Sequence, residues 1–365
     1  MPPEGLFVNN DTLKDGFTIY DSLYKVPEGL NILVSTYDFS DKSPVIKLID
    51  LDTLGVKYKW VVDKSSNPNS KGGFFTDDFL FEHPLLVKNK SIIAHNNQFL
   101  FRIDSSGKLV WRKDLDVHHS IEGETNNEIW VCGNKASNKS YRFLDKDRVP
   151  PSVINKVDIN NGKILFQKSI FDILIENGYD YIITFGIFEK DMFHINDIQP
   201  ALYSTEFWEK GDLLISLRNR NTVFMYRPST NKIIWLKTGP WSNQHDCDFI
   251  GNNQILVFGN DVLRTGTYTL LNGYNNAYIY DFKTDKITTP FSNFSKSSII
   301  STKTEGRCDI LPDGNLIVEE TENGRILLGD TNSVKLIYVE RQDRKKIQSF
   351  NWLRIIKDEE LSDLK

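Results

Sequence analysis

A hairpin plan recurs along this chain and limits its fold more than any other feature. It is shared by Ile103-Asp-Ser-Ser-Gly-Lys-Leu-Val-Trp111, Val157-Asp-Ile-Asn-Asn-Gly-Lys-Ile-Leu-Phe166, Tyr226-Arg-Pro-Ser-Thr-Asn-Lys-Ile-Ile-Trp235 and Tyr280-Asp-Phe-Lys-Thr-Asp-Lys-Ile-Thr288. A looser copy starts at Ile49-Asp-Leu-Asp-Thr-Leu-Gly55 and runs on to Trp60. Each reads as a strand, a tight turn at Gly, Asn or Asp, and a second strand, because these residues tolerate the positive φ of hairpin turns. The turn lysines Lys108, Lys163, Lys232 and Lys286 set a period of about 55 to 70 residues. Units of that size built from short strands indicate propeller blades rather than solenoid turns.

Counting units gives six, so the expectation is an all-β, six-bladed β-propeller forming a single domain over 1–365. The blades fall at approximately 28–62, 79–115, 117–170, 192–238, 244–291 and 305–345. A flanking strand at 16–20 or 348–352 is expected to complete a terminal blade and remove an open sheet edge. The irregular stretch 171–191 reads as a short helix and loop between blades three and four.

Histidines recur at one place in the unit. Phe-Glu-His (81–83), Val-His-His (117–119), Phe-His-Ile-Asn-Asp (193–197) and Gln-His-Asp-Cys-Asp (244–248) each precede a short apolar strand, and they hold five of the six histidines. In a radial repeat, equivalent positions converge on the axis, where collected polar side chains make a site. Blade six opens instead with Arg307-Cys-Asp-Ile-Leu-Pro-Asp-Gly-Asn-Leu-Ile-Val318 and has no histidine.

Composition narrows the class. With 39% hydrophobic and 12% aromatic residues, the chain can build a large core. Length alone would suggest two or three domains, but no Pro/Gly/Ser-rich linker divides it. A net charge of −5 gives no nucleic-acid surface. Arg341 to Lys346 reads as a solvated basic hairpin. The start Met1-Pro-Pro-Glu-Gly is not a signal peptide. No apolar run is long enough to span a membrane. The chain as written thus reads as cytoplasmic by default, and as periplasmic or exported if a leader has been removed. Three cysteines form no disulfide framework and no zinc pattern. Cys247, two residues from His245, shares its strand face and is a candidate for lining the site.

The ordered motifs resemble those of the arylsulfotransferase family. They are His118-His119, His-Ile-Asn-Asp (194–197), Leu-Leu-Ile-Ser-Leu-Arg-Asn (213–219), Trp-Leu-Lys-Thr-Gly-Pro-Trp (235–241), Gln-His-Asp-Cys-Asp-Phe (244–249), Leu-Pro-Asp-Gly-Asn-Leu-Ile-Val (311–318) and Glu-Asn-Gly-Arg (322–325). The resemblance runs from about Gly16 to Leu353. It implies a six-bladed enzyme that moves sulfuryl groups between phenols through a sulfated histidine. It further implies neither metal nor cofactor, and no soluble nucleotide sulfate donor. Carried over by residue, His245 matches the nucleophile and Arg218 the active-site arginine. His194 and Asn196 match the pair that holds the sulfate. His119 matches a further sulfate contact, with His118 its competitor. The implied partners are small molecules, an aryl sulfate and a phenol. Two departures stand out: the segment Pro200 to Glu209 is lengthened, and Glu305-Gly-Arg307 finds no match. Members are commonly exported, which leaves the compartment open.

The chemistry is coherent without the family. An aryl sulfate carries a good leaving group, and a neutral imidazole can attack its sulfur, splitting transfer into two steps. Histidine can also exchange the phenol proton near neutral pH. A guanidinium offers a planar fork to two sulfuryl oxygens, and His and Asn add directional N–H donors. Alternative readings leave His83 structural and His95 on the surface, and make Trp208 and Trp241 either packing or an aryl platform. Three imidazoles would also suit zinc or copper, though Arg218 would oppose a cation. The rival functions are a non-catalytic propeller that binds a protein or glycan, and a quinone-cofactor dehydrogenase. The binding propeller predicts no cluster of His194, His245 and Arg218.

Overall fold

A computed structural model describes residues 7–10, 12–38, 43–62, 81–96, 99–125, 127–141, 144–185, 191–265 and 268–363. It is mostly strands, with six blades arranged as a β-propeller. The hairpins form for the reason their sequences suggest. Asp104 Oδ1 accepts from the N–H groups of Ser106 (2.9 Å) and Lys108 (3.0 Å) while Gly107 takes φ +83°. Asp158 Oδ1 accepts from Asn160 N–H at 2.8 Å, with Gly162 at φ +70°. Asn231 and Asp285 supply the left-handed residue in blades four and five, at φ +56° and +51°. An Asx turn plus one left-handed residue reverses the chain between two strands.

Each complete blade is a four-stranded antiparallel meander whose first strand is innermost. Blade two is Glu82–Val87, Ser91–His95, Phe99–Ile103 and Leu109–Asp114. Blade three is Val117–Thr125, Glu128–Asn134, Ser152–Asp158 and Ile164–Ser169. Blade four is Ile195–Pro200, Leu213–Leu217, Thr222–Arg227 and Lys232–Thr238. Blade five is Asp246–Ile250, Gln254–Gly259, Asn276–Asp281 and Lys286–Thr288, with the hairpin Val262–Thr265 and Tyr268–Leu271 inserted. Blade six is Arg307–Ile310, Leu316–Glu320, Arg325–Gly329 and Val334–Val339, and Gly16–Ile19 adds a fifth, outer strand. The first strands of blades two to six neighbour one another in sequence around the axis.

The closing strand differs from the expectation. Of 348–352 only Gln348 is in a strand, Lys346–Gln348, which pairs with Phe7–Asn9. Blade one, Leu30–Asp38, Ser43–Asp50 and Gly55–Val61, takes Arg354–Lys357 as its inner strand. The reason lies in blade six. Glu319 accepts from Trp352 N–H at 3.0 Å and from Leu353 N–H. That ties 352–353 across the seam as a crossing, so pairing with blade one starts after it. The second half of the expectation, a strand at 16–20, falls on the outside of blade six.

The core is a set of layers between blades. Along Leu213–Leu217, Leu213, Ile215 and Leu217 face one neighbouring layer while Leu214 faces the other. Both faces are covered, so the strand reads as a continuous apolar run rather than an alternation. The stretch expected as helix and loop holds helix α1 (Ile170–Glu176) and helix α2 (Asp180–Thr184). Ser169 caps α1 at Phe171 N–H, and Ile170, Phe171, Ile173 and Leu174 seal the layer between blades three and four. Residues 186–190 of that stretch, and 79–80 of the expected second blade, lie outside the described residues.

Candidate functional site

The inner strands open with residues in a left-handed backbone conformation. His83, His119, His194, Glu305 and Trp352 have φ of +50°, +58°, +46°, +57° and +61°. In blade five the residue is Asn243 (φ +50°), two before His245. Non-glycine residues in this region carry strain of about 1–3 kcal/mol each and persist only where surroundings hold them. The pairing with the second strand is broken beside these residues in blades two, three and four, between Glu82 and Leu85, Val117 and Ile121, and Ile195 and Asp197. A bulge of this kind turns a side chain off the strand face. Here it turns the side chains toward the axis.

The result is a cluster. The imidazoles of His119, His194 and His245 each bring a ring nitrogen within 4.8 Å of the others. His119 Nε2 lies 2.9 Å from His194 Nε2, and the ring centroids of His119 and His245 are 4.9 Å apart. His194 Nδ1 is 2.6 Å from Asp191 Oδ2. The tautomer that donates from Nδ1 to Asp191 leaves Nε2 of His194 to accept from His119. Arg218 follows Leu213–Leu217, and its backbone N–H donates to the His194 carbonyl at 3.2 Å. Its buried guanidinium acts electrostatically on His245, Asp191 and Glu305 together.

His245 is held from several sides. Its N–H donates to Phe258 O at 3.0 Å. Asn243 N–H donates to Asn221 Oδ1 at 2.8 Å, and Gln244 Nε2 donates to Ser216 Oγ and Thr222 O, both at 3.1 Å. The His245 side chain is buried, and its Nδ1 has no hydrogen-bond partner among the described residues. Burial first, then the charges of Arg218 and His194, hold its pKa well below the usual histidine value, against the Gly306 backbone beside it. Burial and the neighbouring imidazoles do the same to His119. For Asp191 burial acts upward, but the hydrogen bond and charge of His194 outweigh it, so the carboxyl sits below its usual range. The nucleophile candidate is therefore an unprotonated imidazole at neutral pH.

Other expectations sort as follows. His119 rather than His118 faces the cluster: His118 lies 6.4 Å from His194 by ring centroids, against 4.9 Å for His119. Asn196 is buried, and its amide donates to Gln244 O at 2.8 Å, so it braces the residue before His245 instead of facing open space. Cys247 is buried and gives its N–H to Asp197 Oδ2 at 2.9 Å, away from the cluster. Trp208 and Trp241 are packed between blades four and five, not at a mouth. His95 is a correction: it is fully buried and its Nε2 lies 2.8 Å from His119 O, because its strand, not the turn after it, sets its direction.

Two contributors escaped the sequence. Trp352 from blade one stacks on His83 at 4.2 Å, lies 6.2 Å from His245, and takes Arg307 over its face at 5.0 Å. Below the cluster the axis is plugged by charge. Arg354 pairs with Glu122 at 2.8 and 3.0 Å, and Arg307 reaches Asp309 (3.0 Å), Asp248 (3.5 Å) and Asp246 (3.7 Å). This acid group is the kind of feature a quinone dehydrogenase needs, but its two arginines already occupy it.

A family model described as arylsulfotransferase (ASST) matches residues 83–340. The chain belongs to the arylsulfotransferase family. The match covers every member of the histidine cluster and Arg218, and membership supports a sulfotransferase-type function. No curated protein matches the chain. Among solved structures, the chain is similar to a Bacteroides caccae protein of unknown function. That match has 13% identity and a TM-score of 0.50, and covers 85% of this chain and 94% of that one. A nidogen/laminin complex gives 8% identity and a TM-score of 0.52, covering 90% of this chain and 99% of that one. Both likenesses concern the fold alone. Among the described residues, no helix is long and apolar enough to cross a membrane.

Proposed function

We propose that the protein transfers a sulfuryl group from an aryl sulfate to a phenol in two steps, through a sulfated His245. The observation that carries this is the three-imidazole cluster beside Arg218. In the first step a His245 nitrogen bonds the sulfur and the aryl oxygen leaves with the electron pair. In the second a phenol oxygen attacks the same sulfur and frees His245. Arg218 offers its planar fork to the sulfuryl oxygens, and His119 and His194 present ring nitrogens on the other side. Asn196 serves by fixing Gln244, hence His245. Such prearranged donors are worth about 3–4 kcal/mol each when aimed at the transition state.

Three imidazoles at this spacing also fit a metal ion in geometry, but the Arg218 guanidinium penalises a cation and favours an oxyanion. Chelators should leave turnover intact; loss on chelation with return on adding zinc would reassign the cluster.

Mixing the protein with 4-nitrophenyl sulfate and phenol should release 4-nitrophenol. Donor alone should leave one histidine heavier by about 80 Da, the mass of one SO₃ group. His245→Ala should abolish both signals. Arg218→Ala should slow turnover by on the order of 10²–10³. Full activity in His245→Ala, or a stable adduct on His194 or His119, would sink the assignment. If no aryl sulfate is turned over by the intact protein, a binding propeller becomes the better reading.

A further inference from the structure

Blade six holds a carboxyl group at the inner-ring position where blades two to four place histidines. We infer that Glu305 is the acid–base residue of the transfer, giving a proton to the departing aryl oxygen and taking one from the incoming phenol. The inference rests on the sulfuryl-transfer reading above and names the proton carrier that it requires.

Position is the first argument. Glu305 stands two residues before the inner strand of blade six with φ +57°, the conformation that His83, His119 and His194 share. Its backbone is fixed from both sides. Asn260 Nδ2 donates to its carbonyl at 2.7 Å. The next residue, Gly306, sits where a Cβ would meet Thr302, Phe258 and the Glu319 carbonyl at 2.8–3.0 Å. Gly306 also lies against the His245 imidazole, and Arg218 acts on Glu305 from across the ring.

Availability is the second. The other carboxyls near the cluster are committed. Asp191 is bound to His194, Glu319 to the N–H groups of Trp352 and Leu353, and Glu122 to Arg354. Glu322 takes Lys303 N–H and Thr304 Oγ1. Among the described residues, no hydrogen bond or ion pair engages the Glu305 carboxyl. The residue is partly buried rather than sealed.

Chemical need is the third. His83, His119 and His245 are all held well below the histidine range by burial, so at neutral pH they have no extra proton to lend. Burial, helped by Glu319 and Glu322 and opposed by Arg218, raises Glu305 to about 7, which suits a group that must both give and take a proton near neutrality. The acid form would also spare an incoming sulfate from meeting a negative charge. The steps balance. As the His245 N–S bond forms and the S–O bond to the aryl group breaks, the Glu305 proton passes to the aryl oxygen, leaving phenol and a carboxylate. In the return step the carboxylate takes the acceptor's O–H proton while its oxygen bonds sulfur and the N–S bond breaks.

The test compares donors whose leaving groups differ in basicity. 4-Nitrophenolate departs without a proton, whereas the phenolate of phenyl sulfate needs one. Glu305→Gln should form the 80 Da His245 adduct from 4-nitrophenyl sulfate within a few-fold of the wild-type rate, and from phenyl sulfate on the order of 10²-fold more slowly. Glu305→Asp should restore part of the phenyl sulfate rate. In the wild type, adduct formation from phenyl sulfate should fall as pH rises past neutrality, and that from 4-nitrophenyl sulfate should not; this comparison needs no variant to fold. An equal loss with both donors, no loss with either, or identical pH profiles overturns the role of Glu305 while leaving sulfuryl transfer in place. Absence of any histidine adduct in the wild type removes both readings.

Discussion

At the residue scale, the axis combines two opposite pH dependences. The imidazoles of His83, His95, His118, His119 and His245 are all lowered from 6.5, chiefly by burial, His95 to about 3 and His118 to about 4. Their contribution to stability is present above the unfolded value and lost as pH falls below it toward the folded values. Adduct formation from 4-nitrophenyl sulfate should therefore persist into mild acid until His245 protonates or the fold gives way. Asp197 behaves oppositely. Burial, with Glu122 and Asp248, raises it from 3.8 to about 8, while Cys247 N–H and Ser120 oppose. A raised carboxyl stabilises the fold below its unfolded pKa, and that contribution drains away as pH climbs from about 4 to about 8. Asp197→Asn keeps the shape without the titration. Its stability relative to wild type should rise across that window, by up to about 1.4 kcal/mol per pH unit, and level off above. Urea midpoints from pH 5 to 9 would check it; a constant offset at all pH values would refute it. These polar details were the least legible part of the sequence. The histidine repeat revealed which residues meet, but His95 was misread because Asn-Asn after it signals only a turn. Glu305 was missed because the position it shares with the histidines lies in backbone geometry and not in residue type.

At the scale of elements, the hairpins were legible because their turn chemistry is local: Asp104, Asp158, Asn231 and Asp285 announce themselves within a few residues. Helices α1 and α2 were legible as an interruption of the repeat. The closing strand was not. Arg-Ile-Ile-Lys at 354–357 has no turn signal of its own, and its partners at 30–33 stand at the far end of the chain. What locates it is a long-range polar set: Glu319 on 352–353, Asn31 Nδ2 on Ile356 O at 3.0 Å, and Arg354 on Glu122, Pro84 O and Ile121 O. Removing one member of a buried ion pair strands its partner. Arg354→Met should cost about 3–5 kcal/mol, and adding Glu122→Gln should recover part of the loss. Chemical denaturation of the two single variants and the double variant measures the coupling; strictly additive losses would mean that Arg354 acts only through its backbone carbonyl contacts.

At the scale of the whole molecule, counting repeats was enough to give six blades, because each unit carries the same instructions and the ring is their sum. The same near-symmetry explains how one fold makes an asymmetric site: five inner positions share a left-handed backbone, and only the side chains differ. The joint between blades six and one has a further consequence, for the order in which a nascent chain can mature. His119, His194, Arg218 and His245 leave the ribosome within one contiguous stretch, so the reactive cluster can assemble early. The Leu30–Asp38 strand, made long before, must wait with one edge open until Arg354–Lys357 emerges. Throughout that interval it is a template for pairing with any similar strand nearby, including its twin on an adjacent polysome-bound chain. The last blade to close is thus the first one begun, and the hazard of self-association during synthesis is concentrated there rather than at the site of chemistry.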